Sequence, residues 1–369
     1  RGESDQLRRA MAAWKRKGGL GPFEKKLKDG MMKNGLSQAF ADRIFEQIKG
    51  FGDYGFPESH SASFALLAYA SAWLKYHYPG AFTAALLNSL PMGFYQPAQL
   101  VGDANRHGVE VRPVDVLNSG TQSTLEPSVH SRGGVALRLG LDRIKGLDQA
   151  AAKRIVQARL LEPPPDSVQA VARQARLSRS QTEALAASGA LNSLATHRHR
   201  AFWDAAGVET AMPLYGQPQF TEGAPLLRIP SEADNIISDY SSIQLTLGRH
   251  PVALLRGKLD ALHAQSAAQL ADGETGNPVC IAGLVINRQR PGTASGVIFM
   301  TLEDETGSTN LIVWPKVVHA YRSAVLHSRF IVVRGQLQRE NNVVHVIARQ
   351  LQDYSHWLGK LNAKSRDFH

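Results

Sequence analysis

A single cysteine, Cys280, stands among 369 residues. That scarcity excludes an internal disulfide and any zinc site built on several thiolates. Its setting, PVCIAGLVI, is apolar, which marks a small buried strand residue and not a nucleophile. A reducing, cytoplasmic compartment suits such a chain. No apolar run reaches the roughly 18–20 residues that a membrane-spanning helix needs. The opening residues, RGESDQLRRAMAAWKRKGG, lack the apolar core of a signal peptide. Nowhere do two aspartates stand one residue apart, so the paired carboxylates that hold two metal ions about 3.5–4 Å apart have no counterpart here. His197 and His199 have no adjacent Asp, Glu or Cys and read as polar loop, so no metal site is expected.

What is present is positive charge. The 42 Lys and Arg outnumber the 32 Asp and Glu, for a net charge of +10, which favours a polyanionic partner, nucleic acid first. Hydrophobic content of 43% is that of a globular protein, and the length suits about two or three domains. Residues 1–90 read as helices. SDQLRRAMAAWKRK opens on a Ser/Asp start signal and ends in basic residues and a Gly-Gly. SQAFADRIFEQIKGF places Phe40, Ile44, Phe45 and Ile48 on one face, with Ser37 as N-cap. SASFALLAYASAWLKYHYP reads as a buried helix stopped by Pro79, with GAFTAALLNSL behind it. A helix, a short strand VEVRPVDV and a turn follow, then a Ser/Gly/Thr-rich loop over 119–134.

Residues 135–195 are read as helical and carry a nucleic-acid signature. LGLDRIKGLDQAAAKRIVQAR reads as helix, hairpin, helix, and such a hairpin needs glycine so that backbone N–H groups approach a phosphate. Gly146, beside Lys145, supplies one glycine, whereas Asp148 takes the place of a second and weakens the site. LSRSQTEALAASGALNSL reads as a second helix pair, with Gly189 closing its last turn. From residue 276 the pattern is β: VCIAGLVINRQ, GVIFMTLED, STNLIVWP, RFIVVRGQLQR and VVHVIARQL are Val/Ile-rich runs separated by Gly, Asn or Asp. PKVVHAYRSAVLHS, opened by Pro315, puts a helix between the third and fourth. Five strands with a helix after the third is the order of an OB-fold barrel, which binds single strands on its face. Arg288, Arg290, Phe299, Trp314, Arg334 and Arg339 are candidates for that face, by stacking and charge pairing.

The run ADRIFEQIKGFGDYGFPESHSASFALLAYASAWLKYHYPGAFTAALLNS, followed by RIKGL, EALAASGALNSL and the OB-fold pattern, resembles the bacterial C-family DNA polymerases of the DnaE type, over essentially the whole chain. PESHS, where the replicative type has Asn-Lys-Ser-His, is similar to the error-prone, ImuC branch. The resemblance implies a multidomain α+β C-terminal fragment. Residues 1–118 would be the end of the fingers, 135–195 a tandem helix-hairpin-helix, 196–275 a linker, 276–356 a five-stranded OB-fold and 357–369 a tail. It puts Tyr54, Ser59 and His60 near the incoming nucleotide or primer end, and Arg8 and Arg9 toward the triphosphate. Glu58 departs from the pattern by placing an anion where a cation is usual. In TAMPLYG, Leu214 and Tyr215 match the apolar anchors of a sliding-clamp motif, but Ala211 stands in the glutamine position, so clamp binding is expected to be weak or indirect.

The family's catalytic palm, with its Mg2+ ions, would lie before residue 1. This fragment would then bind no cofactor and be inactive alone, while the parent is a nucleotidyltransferase for translesion synthesis. Primer–template and single-stranded DNA, and the ImuB-type protein of the mutasome, are the implied partners, with no membrane. The alternative reading is a stand-alone single-strand-binding or adaptor module made from the helix-hairpin-helix and OB-fold.

Overall fold

The computed structural model describes residues 21–53, 58–92, 95–208, 226–291, 294–340, 343–361 and 366–368. The chain divides into two units, residues 1–77 and 78–369.

The first unit is helical where described: α1 (Gly21–Lys33), α2 (Gln38–Asp53) and α3 (Glu58–His77). Ser37 starts α2 as expected, its hydroxyl oxygen accepting the Phe40 N–H at 3.3 Å. Ala41 and Phe45 are buried. Lys28 of α1 bridges Glu24 at 2.6 Å and Asp42 at 2.8 Å and lies over the Phe45 ring. The face is narrower than the periodicity suggested, since Phe40 is exposed. The helix α3, expected to be buried, is exposed along its length: Phe64, Leu66, Leu67 and Tyr69 are each more than 60% accessible. Its sequence is apolar all round, the signature of a helix meant for a core.

The second unit opens with α4 (Pro79–Asn88) and α5 (Pro97–Arg106), then β1 (Val111–Arg112), β2 (Thr124–Pro127) and β3 (Val135–Arg138). These strands form a small sheet in the order β1-β3-β2, with β1 parallel and β2 antiparallel to β3. Two expectations fail here. The Ser/Gly/Thr-rich stretch contains a strand, and the first turn of the region read as helical is another. The pairing that stabilises them is non-local: Glu126 of β2 takes Arg138 of β3 at 2.8 Å and Arg112 of β1 at 2.6 Å. Helices α6 (Gln149–Ala158), α7 (Val168–Gln174), α8 (Arg179–Ser188), α9 (Asn192–Ala195) and α10 (Arg198–Ala206) follow. One core joins Leu87, Leu100 and Val116 to Leu137, Ile155 and Leu185. Packing is therefore continuous across residue 118, where the sequence suggested a boundary.

After α11 (Glu232–Ser242), α12 (Arg256–Asp260) and α13 (Ala267–Leu270) comes the barrel: β4 (Pro278–Gln289), β5 (Ile298–Glu303), β6 (Ser308–Val313), β7 (Phe330–Glu340) and β8 (Val343–Asp353). The strands run in the order β5-β6-β8-β7-β4, and β4 closes on β5. All pairs are antiparallel except β6 with β8. Two short helices, α14 (Pro315–Ala320) and α15 (Arg322–His327), fill the link between β6 and β7. This is the OB-fold topology. A short β9 (Arg366–Phe368) adds in parallel to the end of β4. Val285, Met300, Leu311 and Val346 fill the interior. A further core covers the outside of β4 and β7, where Ala282, Leu284, Phe330 and Val332 meet Ile236, Val252 and Leu259. The linker helices thus belong to the barrel's packing.

Candidate nucleic-acid interface

The first hairpin turns at Gly146, whose φ of +89° is a region that favours glycine. Lys145 and Gly146 are exposed, and the Lys145 N–H donates to Ser242 O of α11 at 2.8 Å. Asp148 is the N-cap of α6. One carboxylate oxygen accepts the Ala151 N–H at 2.8 Å, the other the Gln181 side-chain amide at 2.7 Å. Those bonds, the Ala151 N–H first, hold its pKa below the ordinary carboxylate value. The acid thus occupies a backbone N–H at the start of α6 and fastens it to α8.

Gly189 ends α8 in the left-handed conformation, at φ +77°. The likeness to the first hairpin, however, lies before α8. Arg176 matches Gly146 with a φ of +50°, Leu177 matches buried Leu147, and Ser178 matches Asp148 as N-cap. Arg154 of α6 donates its Nε–H to Ala175 O, just before the second turn, at 2.7 Å. Sequence reasoning missed this repeat because only the leucine is identical and arginine is uncommon at positive φ.

On the barrel, the expected residues separate. A bulge between Val285 and Asn287 resets the alternation of β4, so Asn287 and Gln289 pair with outward residues while Arg288 pairs with buried Met300. Arg288 is only 7% exposed, and its guanidinium donates to Val325 O at 2.7 Å and to Ser328 O. It anchors α15 and is not part of an outer face, a correction that an unbroken period of two concealed. Arg339 donates to Ala271 O and Gly273 O. Arg334 is exposed on β7, where it pairs with Cys280 and Gln350 beside the covered side of the barrel. Trp314 is exposed at the start of α14. Arg290 is exposed past the end of β4, and Phe299, 38% accessible, stands on β5.

Around Phe299 the register assembles what the sequence did not reveal. One cross-strand row reads Gln289, Phe299, Ile312, Ile347, Gln336, and the next reads Asn287, Thr301, Asn310, His345, Gln338. The side chains beyond these rows include Arg349, which donates to Gln336 Oε1 at 2.9 Å. A cleft of about 620 Å³ runs beside this face, between the hairpin at Arg143 and Lys145, Tyr240 and Gln244 of the linker, and Ile286 and Glu303 of the barrel. Burial pushes the Tyr240 phenol well above its ordinary pKa.

The side chains of Ser59 and His60, and the whole of Arg8, Arg9, Tyr54, Leu214 and Tyr215, lie outside the described residues. His197 caps α10 by accepting the Arg200 N–H, and His199 donates to Arg228 O at 2.5 Å. Among the described residues no cluster of three His, Cys, Asp or Glu is placed to hold a metal ion, and no helix is long and apolar enough to cross a membrane.

Residues 108–201 match the helix-hairpin-helix motif family, and residues 279–354 match the OB-fold nucleic acid binding domain family. The error-prone DNA polymerase of Methylococcus capsulatus is 54% identical over 383 residues, covering all of this chain and 36% of that protein. Those of Alkalilimnicola ehrlichii and Azoarcus sp. are 54% and 52% identical, again over the full chain. The chain is similar to one segment of these proteins. It spans about a third of the length of these relatives, 36% of the first. The α+β architecture, with its closed five-stranded barrel, agrees with both family matches.

Proposed function

We propose that this chain is the DNA-gripping and partner-docking segment of an error-prone DNA polymerase that serves translesion synthesis. Overall identity of 54% across the full length of this chain to proteins of that name carries the reading. The net charge of +10 and two modules of nucleic-acid-binding families support it. Nucleotidyl transfer needs carboxylates that hold Mg2+. That chemistry is proposed to belong to another part of the parent protein, since this chain spans about a third of the length of its relatives. Arg8, Arg9, Tyr54, Ser59 and His60 remain the proposed nucleotide contacts. The apolar surface of α3 is proposed to pack against the parent's other domains. An ImuB-type protein is the proposed docking partner, with the clamp reached weakly through Leu214 and Tyr215 or indirectly through that protein.

The test is binding of the 369-residue chain to labelled single-stranded and primer–template DNA, and to purified ImuB, across a salt series. Affinity for DNA should fall roughly 10- to 1,000-fold between 50 and 200 mM salt, the signature of several phosphate contacts. Binding to neither DNA nor ImuB would reject the assignment.

A further inference from the structure

The cleft of about 620 Å³ between the first hairpin, the linker and the barrel has the size of a small-molecule site. Two of its lining residues, Tyr240 and Glu303, have hydrogen-bonding capacity in reserve. Glu303 ends β5, its side chain is 26% accessible, and no Lys or Arg among the described residues pairs with it. His250 Nδ1 accepts the Val252 N–H at 3.3 Å, which leaves the proton of the neutral ring on Nε2. That nitrogen is out of contact with solvent and forms no hydrogen bond, although Glu303 Oε1 lies 3.4 Å away. The Tyr240 phenol is kept protonated, by burial first and by the charges of Glu303 and Asp239 next. No hydrogen bond within the described residues engages its hydroxyl.

The rest of the lining supplies the other parts of a binding site. Lys145, in the hairpin turn, is exposed and makes no ion pair among the described residues. Tyr95 is 52% accessible, and Ile286 adds apolar wall. A carboxylate and a phenol can read the edge of a nucleobase, an open aromatic ring can stack on its face, and an ammonium suits a phosphate. Guanine fits this set in particular. Its N1–H and N2–H are adjacent donors that match the two oxygens of a carboxylate, and its O6 accepts. Thymine has one donor between two acceptors and no such pair.

We propose that this cleft is a guanine-nucleotide site: Glu303 accepts from N1–H and N2–H, Tyr240 donates to O6, the base stacks on Tyr95 and the phosphate meets Lys145. The proposal goes beyond the DNA-binding reading, because it concerns a single nucleotide and a cleft away from the strand-binding faces.

Isothermal titration of the unaltered 369-residue chain at low salt with dGMP, dAMP, dCMP and dTMP tests it. Binding of dGMP should be at least about tenfold tighter than that of dTMP, the worth of one extra bond to a charged group. Glu303→Gln should lose about tenfold on dGMP and leave dTMP unchanged. Lys145→Ala should weaken dGMP and leave deoxyguanosine, which has no phosphate, unchanged. Tyr240→Phe should weaken dGMP about threefold with an unaltered melting temperature, since its hydroxyl serves no bond within the fold. Displacement of dGMP by an oligothymidylate with a terminal guanylate, but not by plain oligothymidylate, would support the site and assign it to a strand end. Displacement by neither would support it as a site for the free nucleotide. Equal affinity for all four nucleotides, or no binding at about 1 mM, would overturn the proposal and leave the DNA-binding reading standing.

Discussion

Two carbonyl oxygens, Val325 O and Ser328 O, depend on the Arg288 guanidinium inside the barrel wall. Arg288→Ala leaves them buried without that donor, at an expected cost of roughly 2–3 kcal/mol in urea unfolding. Lysine at this position should restore less than half, because one ammonium on a flexible stem does not reproduce the planar fork. DNA affinity measured on the folded fraction should stay unchanged, which separates a structural arginine from one that touches the strand. Glu126 carries a second prediction. Arg138 first, then Arg112, lower its pKa from the ordinary 4.5. A carboxyl held low in the folded state stabilises it above the ordinary value and ceases to do so as pH falls through the folded value. Glu126→Gln should therefore lower stability at pH 7, by about 1 kcal/mol for a half-solvated charged bond. Its melting temperature should approach that of the unaltered chain below pH 4.5. A gap that did not shrink at all as pH fell from 7 to well below 4.5 would contradict the assigned cause.

Elements were the level most open to sequence reasoning. Each barrel strand was legible because Val/Ile runs of period two lie between turn residues, and α14 because Pro315 opens it. What the strands concealed is their irregularity. The bulges at Val285–Asn287 and Arg334–Gly335 shift which residues face out, and both arise from pairing between distant segments. At Gly335 a β-carbon would sit 2.3 Å from Ile347 O. Gly335→Ala should therefore destabilise the barrel by about 1–3 kcal/mol in thermal or urea unfolding, because the contact is with backbone that cannot step aside. The site was half legible for the same reason. Phe299 and Gly146 were found from residue type, whereas Asn310, His345, Ile347 and Gln336 join the face only through register. Nothing in a lone Asn or His marks it for such a row.

Across the whole molecule, three cores decide what behaves as a unit. The core that joins Leu87, Leu100 and Val116 to Leu137 and Ile155 ignores the boundary expected at residue 118. A chain beginning at residue 119 should lack β1 and expose Leu137, with a broad, low-temperature melt and weak amide protection in β3. A chain beginning at residue 78 keeps that core whole and should melt cooperatively. Equal cooperativity of both truncations, by calorimetry and hydrogen exchange, would refute the shared core. The linker behaves likewise. Arg256 holds Glu305 at 2.6 Å, and Asp304 accepts the Ala267 N–H at 2.7 Å, so residues 251–270 are fastened to the barrel.

The amino-acid sequence by itself determined most helices, the five barrel strands and the basic charge, because these depend on local periodicity and on residues that stand together in the chain. Tertiary structure alone decided which side chains share a surface. Burial of Arg288, pairing of Asn310 with His345 and the meeting of Asp148 with Gln181 follow from bulges, register and helix packing, each set by contacts between segments far apart in sequence.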